Sequence, residues 1–321
     1  MKDVVVLYEH PEWQKPLFTA LEKKRVSFEA FDLKKGAFVA GDVPQAKVVF
    51  NQASPSAYVR GNARAVPFAL SLLKSLEGSG ATVVNGARAF AFELSKTAQA
   101  AVIARLGLRT PRSIAWNDFD ALAARVKADP SWKWPALLKP EQGGSGARIV
   151  KLESLDDLRA HLEKEGPGIW VPDGVLLLQE YFEHDHEKGI VRVELVGGEL
   201  LYAMRVISHG RYNLCPSPVC NPVEGDDGEE HCSIPPPGLE SAKPVEFYAY
   251  KDVPKDAVEG AKKIAAAGGI DVGGIEYLDA LDGQRVYYDV NANSNLRLSI
   301  AEEHGFDPFA RVVDYLVNRA R

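Results

Sequence analysis

The hydrophobic positions of this chain change their period repeatedly, and each change marks an element. Residues 3–8 form a short apolar run of the kind a buried parallel strand needs, and the spacing over 16–24 predicts a helix after it. Strands are predicted at 27–33, 47–51 and 82–85, with a helix over 64–76 before the last. Strands alternating with helices indicate a parallel α/β lobe over about the first 110 residues. A helix over 90–106 ends at Gly107. Strands at 113–115 and 136–139 flank a helix over 119–128, and a strand at 149–152 leads into a helix over 154–164, with Ser154 as its N-cap. The run 174–181 reads as a buried strand. Residues 190–196 and 199–207 alternate about Gly197-Gly198, a hairpin in which Arg192 and Arg205 can share a face. A helix over 256–267, stopped by Gly268-Gly269, and a C-terminal amphipathic helix over 308–318 complete the pattern.

The most informative stretch is 273–297. Two alternating runs, 274–281 and 285–290, flank Asp282-Gly283, a strong hairpin signal because Gly accepts the positive φ of a tight primed turn. Period two puts Glu276, Asp289 and Asn291 on one side, so two carboxylates and an amide oxygen converge. Hard oxygen ligands suit Mg²⁺, which keeps some water and is commonly completed by substrate phosphates. An ordinary hairpin with a solvated acidic face is the plainer reading of the pair alone. Upstream, Lys139-Pro-Glu-Gln-Gly-Gly-Ser-Gly-Ala-Arg148 is a flexible glycine turn between strands, whose amides can approach phosphate oxygens beside the Lys139 charge. It is neither a Walker loop nor a Rossmann fingerprint.

Other candidates carry bland alternatives. Lys96 lies on a predicted helix, most simply in solvent. The polar loop 51–60 is expected at the carboxyl end of a strand, where open α/β sheets place ligands, or is an ordinary connection. Glu183, His184, Asp185, His186 and Glu187 suggest a metal cluster or, more simply, a solvated loop. Cys215, Cys220, His231 and Cys232 suggest zinc, but lack a CxxC and read equally as reduced thiols.

Composition narrows the classes. At 321 residues and 46% apolar the chain can bury a full core in two or three lobes. A net charge of -6 with no basic stripe argues against nucleic acid. Three cysteines without disulfide-like spacing fit a reducing cytoplasm. The first apolar stretch breaks at Glu9, too early for a signal peptide, and no run approaches the roughly 20 residues of a membrane span.

Together these motifs resemble the ATP-grasp superfamily, within it the RimK-like and glutathione-synthetase-like carboxylate-amine ligases. The resemblance covers about 91–297 and rests on ordered motifs. It implies an α/β and α+β chain, an ATP-grasp fold preceded by a parallel α/β lobe: 1–110, then a small lobe over 111–183 and a large lobe over 184–321. ELSKTAQAAVIARLGLRTP resembles the helix whose lysine reaches the nucleotide, implying Lys96. ALLKPEQGGSGARIV resembles the phosphate-covering loop, implying Lys139, Gly143, Gly144, Ser145 and Gly146. LLLQEYF resembles the strand that clasps adenine, implying Gln179, Glu180, Tyr181 and Phe182, with Glu187 at the ribose. The resemblance also implies that Arg192, Arg205 and Arg211 meet the γ-phosphate or acyl phosphate, with Asn213 near the metals. Glu276, Asp289 and Asn291 take the metal role, although the family more often has Asp in the first strand and Glu in the second. The implied cofactors are ATP and Mg²⁺ (or Mn²⁺). The implied partners are a small-molecule carboxylate and an amine, an amino acid or peptide, with Arg297 and the loop at Asn51 as substrate candidates. A homo-oligomer is compatible with the sequence. A small-molecule kinase and a degenerate nucleotide-binding protein are the alternatives.

Overall fold

The computed structural model describes residues 1–42, 44–144, 146–210, 245–294 and 296–320. Ser145, Arg211, Asn213, Cys215, Cys220, His231 and Cys232 lie outside the described residues. Strands β1 (Lys2–Tyr8), β2 (Phe28–Asp32), β3 (Ala46–Gln52) and β4 (Val83–Val84) form a parallel sheet in the order β2-β1-β3-β4. Helix α1 (Pro11–Lys23) starts five residues before the spacing suggests, because Pro11 at its first position lacks only an N–H that would be unpaired anyway. It packs with Val4, Val6 and Phe50, whereas Val5, Leu7 and Val49 pack under α2 (Ala65–Gly78) and α3 (Ala87–Leu94). Cover on both faces explains why β1 reads as an unbroken apolar run.

The helix expected over 90–106 is two helices. α3 ends at Leu94 and α4 (Lys96–Arg105) begins after Ser95, whose extended backbone and side chain, accepting from Ala98 N, cap the new helix. Such a cap stabilises by about 1 kcal/mol. The break places Lys96 at the first position of α4, only 8% exposed, so the solvated reading of this lysine is overturned.

A second sheet is antiparallel, in the order β5-β8-β6-β7, from β5 (Ser113–Trp116), β6 (Ala136–Pro140), β7 (Val150–Leu152) and β8 (Leu176–Glu180). Helices α5 (Phe119–Lys127) and α6 (Leu155–Glu165) cover it around Trp116, Leu138, Leu158 and Leu178. The third sheet runs β11-β10-β9-β12-β13, from β9 (Ile190–Val196), β10 (Glu199–Ile207), β11 (Glu246–Ala249), β12 (Val272–Asp279) and β13 (Arg285–Asn291). α4 and α7 (Lys255–Gly268) cover one face through Ile103, Ile264 and Val193. Toward the other face come α8 (Leu298–Glu303) and α9 (Pro308–Arg319), and α9 joins the lobes, since Val312, Val313 and Leu316 share one core with Val4, Leu17 and Met204. Asn85, just past β4, adds a polar tie: its amide donates to Val272 O and Ala292 O and accepts from Asp271 N and Val272 N.

Two β-bulges decide what faces where. In the β9–β10 hairpin the register slips between Leu200 and Tyr202, so Met204 opposes Arg192 while Arg205 opposes Val191. Alternation is strict, so this one-residue slip turns Arg205 to the opposite face from Arg192, contrary to the pattern of the sequence. Between β12 and β13, Glu276 opposes Asp289 and Gly274 opposes Asn291 as alternation predicts, then a bulge between Glu276 and Tyr277 pairs Tyr277 with Tyr287.

Candidate functional site

A cavity of about 240 Å³ opens between the three sheets. Its walls include Lys96, Lys139, Gly143, Gly144, Gly146, Gln179, Glu180, Tyr181, Phe182, Arg192, Glu276, Asp289, Asn291 and Arg297. These residues come from widely separated stretches of the chain.

At one end the acidic strands meet the lysines. Lys96 Nζ sits 2.5 Å from Asp289 Oδ1. Glu276 accepts from Arg192 Nη1 at 3.2 Å, Tyr288 OH at 3.1 Å and Asn291 Nδ2 at 3.4 Å. Burial, then the Asp289 charge, raise the Glu276 pKa above the usual carboxylate range, which is what two crowded carboxylates produce. A dication between them would relieve that repulsion. Among the described residues no three His, Cys, Asp or Glu side chains gather to hold a metal by themselves. Two carboxylates and one amide oxygen are a partial set, which fits Mg²⁺ because Mg²⁺ retains water and takes phosphate oxygens. Lys139, 3% exposed, is pushed down to about 7 by burial and by the Lys96 charge. An anion placed between the two lysines would remove that penalty.

Arg192 is held rather than free. Its Nε donates to Glu194 Oε1 at 2.6 Å and its Nη2 to Ser294 Oγ at 3.0 Å, and Ser294 in turn donates to Glu194. Glu194 is fully buried, and its charge with that of Glu276 raises the Arg192 pKa despite burial. A Cβ on Gly274 would lie 2.6 Å from Arg192 Nε, so glycine is required for the guanidinium to cross the strand.

The glycine loop is rooted and seated by neighbours. Glu141 accepts from Ser95 Oγ at 2.6 Å and from Thr97 N and Oγ1, which ties the loop to the start of α4. Gln142 Nε2 donates to Pro55 O at 3.3 Å, and a Cβ on Gly144 would lie 3.1 Å from Ser56 Cβ. Beside the loop, Pro111, Leu137, Ile149, Tyr181, Phe182 and Leu278 form an apolar wall of a kind that suits a flat base. Gln179 donates to Ser113 Oγ at 2.9 Å, and Glu180 accepts from Arg112 N at 3.1 Å, so both side chains brace the strand that ends there.

Three expected residues lie elsewhere. The Arg205 guanidinium stacks 4.1 Å from the Tyr250 ring centroid and donates to Lys188 O at 3.1 Å, away from the cavity, as the β10 bulge requires. Glu187 is exposed and Asn51 is buried against Ala53 N; neither lines the cavity. From the loop after Asn51, Gln52, Ser54 and Ser56 line it instead. His184 and His186 line it with rings 4.6 Å apart, and burial lowers the His184 pKa. Arg297 stacks on Phe247, 3.2 Å from its centroid, and burial and the Arg192 charge lower it to about 10.

Sequence reasoning missed Tyr288 and Glu93, which also line the cavity. Simple alternation aims Tyr288 opposite to Asp289, and only the bulge turns it toward Glu276. Glu93 left no usable signal, because the helix-face spacing between it and Lys96 is broken at Ser95.

No family model matches the chain. Over 147 residues it is 29% identical to the tetrahydromethanopterin:alpha-L-glutamate ligase of Methanosarcina acetivorans, a match that takes in 43% of this chain and 43% of that relative. Among solved structures it is similar to the D-cycloserine synthetase DcsG, with a TM-score of 0.69 at 14% identity over 99% of this chain and 100% of that one. It is also similar to the ATP-grasp ligase PsnB complexed with a minimal precursor, with a TM-score of 0.65 at 17% identity over 99% and 100%. PsnB has also been solved with Mg and ADP. At these identities the structural likeness is one of fold.

Proposed function

The chain has the ATP-grasp fold, and from that premise we propose that it is an ATP-dependent ligase that joins a carboxylate to an amine and releases ADP and phosphate. The observation that carries this reading is the meeting of Glu276, Asp289 and Asn291 with Lys96 and Lys139 in one cavity, under a glycine loop. A carboxylate resists amide formation because its leaving group is poor and its charge repels nucleophiles. Transfer of the γ-phosphoryl group of ATP to the substrate carboxylate makes an acyl phosphate, which the amine attacks.

Phosphoryl transfer asks the protein for position and neutral charge rather than for covalent help. Lys96 and Lys139 would hold the phosphates, and the amides of Gly143, Gly144 and Gly146 would cover them. The strand end at Glu180, Tyr181 and Phe182 would hold the base. Glu276, Asp289 and Asn291 would hold Mg²⁺, which would neutralise the phosphate charge. Removing one such charge commonly costs on the order of 3 kcal/mol of barrier. Arg192, which donates to Glu276 at 3.2 Å, would hold that carboxylate in position. Ser145, Arg211 and Asn213 keep the phosphate and metal roles that the family resemblance implies. The loop, seated against Ser56, would keep water from the acyl phosphate. Residues 1–110 would choose the carboxylate, and Arg297, which lines the cavity, would receive a substrate carboxylate. The names of the similar proteins, with L-glutamate in one and a precursor in another, support an amino acid or a peptide as substrate.

Pooled amino acids and metabolite carboxylates, screened for Mg-ATP-dependent phosphate release and followed by mass spectrometry of the positive pool, test the reading. A new amide with ADP is the expected product. ADP release that depends on an alcohol without any amine would make the protein a kinase, and no turnover with any pool would leave a nucleotide-binding protein.

A further inference from the structure

Among the described residues seven buried side-chain polar atoms lack a hydrogen-bond partner, and only one of them, Glu93 Oε2, belongs to a residue that lines the cavity. Glu93 is 4% exposed, in the last turn of α3. Its Oε1 accepts from Asn293 N at 3.0 Å, and the Asn293 side chain donates to Gln52 O at 3.1 Å. Glu93 is therefore tied through Asn293 to Gln52 at the end of β3 in the first lobe. A buried carboxyl oxygen with no partner is destabilising, so the position calls for a ligand that returns a hydrogen bond.

The charges nearby say which ligand. The Asp289 carboxylate and the Arg192 guanidinium act on Glu93 in opposite directions, and an ionised carboxylate oxygen can only accept, so the ligand it lacks is a donor, and the donor that a ligase brings into the cavity is the amine substrate. Resting on the ligase reading, we propose that Glu93 receives the ammonium group of the amine substrate and takes the proton that nitrogen must lose before it attacks.

The step balances without any further reagent. The ammonium gives one proton to the Glu93 carboxylate and becomes a neutral amine. Its lone pair forms the C–N bond at the acyl phosphate carbon, and the C–O bond to phosphate breaks, with the electron pair leaving on phosphate. The second nitrogen proton ends on that phosphate, and Glu93 returns its own proton to water. Burial, opposed by the Asn293 N–H and the Arg192 charge and aided by the Asp289 charge, raises the Glu93 pKa to about 8, so the unliganded group holds its proton at neutral pH. An ammonium beside it favours the ionised form, that proton leaves to water as the substrate binds, and the carboxylate is then free to take the substrate's proton.

Hydroxylamine separates this role from any other, because it is already unprotonated at neutral pH and needs no base to intercept an acyl phosphate. Wild type and Glu93→Gln are each given Mg-ATP and a pool of the standard amino acids, with and without hydroxylamine. Hydroxamate and amide products are then counted. The proposal expects hydroxamate within about threefold of wild type and amide reduced at least about hundredfold in the variant. Glu93→Asp, one methylene shorter, should recover part of the amide, and it is read by the same product ratio if Glu93→Gln fails to fold. Equal loss of both products, or loss of neither, overturns the proposal. A wild-type protein that binds Mg-ADP but makes neither product removes the ligase reading itself, and that result is seen before any variant is made.

Discussion

Lys96 Nζ lies 2.5 Å from Asp289 Oδ1, an ion pair that ties the first residue of α4 to the edge strand of the five-stranded sheet. Burial alone would lower the Lys96 pKa, but the Asp289 charge and hydrogen bond, helped by Glu276 and Glu141, carry it above that of an ordinary lysine. The pair therefore couples the side chain proposed for phosphate to one proposed for metal. Ser95 makes it possible, because an unbroken helix over 90–106 would not start a new turn at Lys96.

Asp289→Asn should abolish Mg-ATP turnover, with a loss of about a hundredfold or more, while the protein stays folded. It also leaves a buried lysine charge without its nearest partner, so the unfolding midpoint should fall. Adding Lys96→Met should recover stability relative to Asp289→Asn alone, with a coupling of at least about 1 kcal/mol in a double-mutant cycle. Phosphate release and thermal melts of the four proteins measure both effects. Undiminished turnover in Asp289→Asn would remove the metal assignment.

Arg192 and Arg205 should behave oppositely. Arg192→Met strands the fully buried Glu194 and removes a donor from Glu276, so it should cost about 3–5 kcal/mol in denaturant unfolding. Arg205→Ala gives up stacking on Tyr250 and one backbone acceptor, so it should cost about 1 kcal/mol and change turnover by less than about threefold. Equal loss of turnover in the two variants would return Arg205 to the site.

These two arginines also mark how far the sequence could be read. Strand periods alone put Glu276, Asp289 and Asn291 on one face, and the glycine loop was legible from its residue types. The parallel class of the first sheet followed from strands that alternate with helices, whereas the continuous apolar run of β8 gave no sign that it pairs antiparallel with β5 and β6. A bulge, however, depends on the pairing of two strands and leaves no mark in either one, so alternation puts Arg205 on the face of Arg192, from which the bulge removes it, and gives no sign that Tyr288 reaches Glu276. Gln52, Ser54 and Ser56 were read only as part of a loop, because their place against Gly144 is set by the packing of separate lobes.

Lys139 should report phosphate binding as proton uptake. Its pKa of about 7, lowered by burial and by Lys96, leaves it largely neutral at about pH 8. A phosphate anion beside it favours the charged form and raises that value. Calorimetric titration of Mg-ADP at about pH 8, in two buffers of different ionisation enthalpy, should show uptake approaching one proton, and Lys139→Met should abolish it. Equal heats in both buffers for the wild type would place the nucleotide away from this lysine.

Glu93 should make stability depend on pH in a direction unusual for a carboxylate. Folded, it keeps its proton up to about 8, whereas an unfolded glutamate releases it near 4.5. Between those values the folded state holds the extra proton, so stability from this group is present at low pH and is lost as pH rises through about 8. Glu93→Gln carries a neutral isostere and escapes that loss. Its stability relative to wild type should therefore grow from about pH 5 to about pH 8 and then level, by at most about 5 kcal/mol. Thermal melts of the two proteins across that range measure the gap. A gap that stays constant would mean that Glu93 ionises in the folded protein as it does in the unfolded chain, and that Oε2 is met by water rather than waiting for a cation.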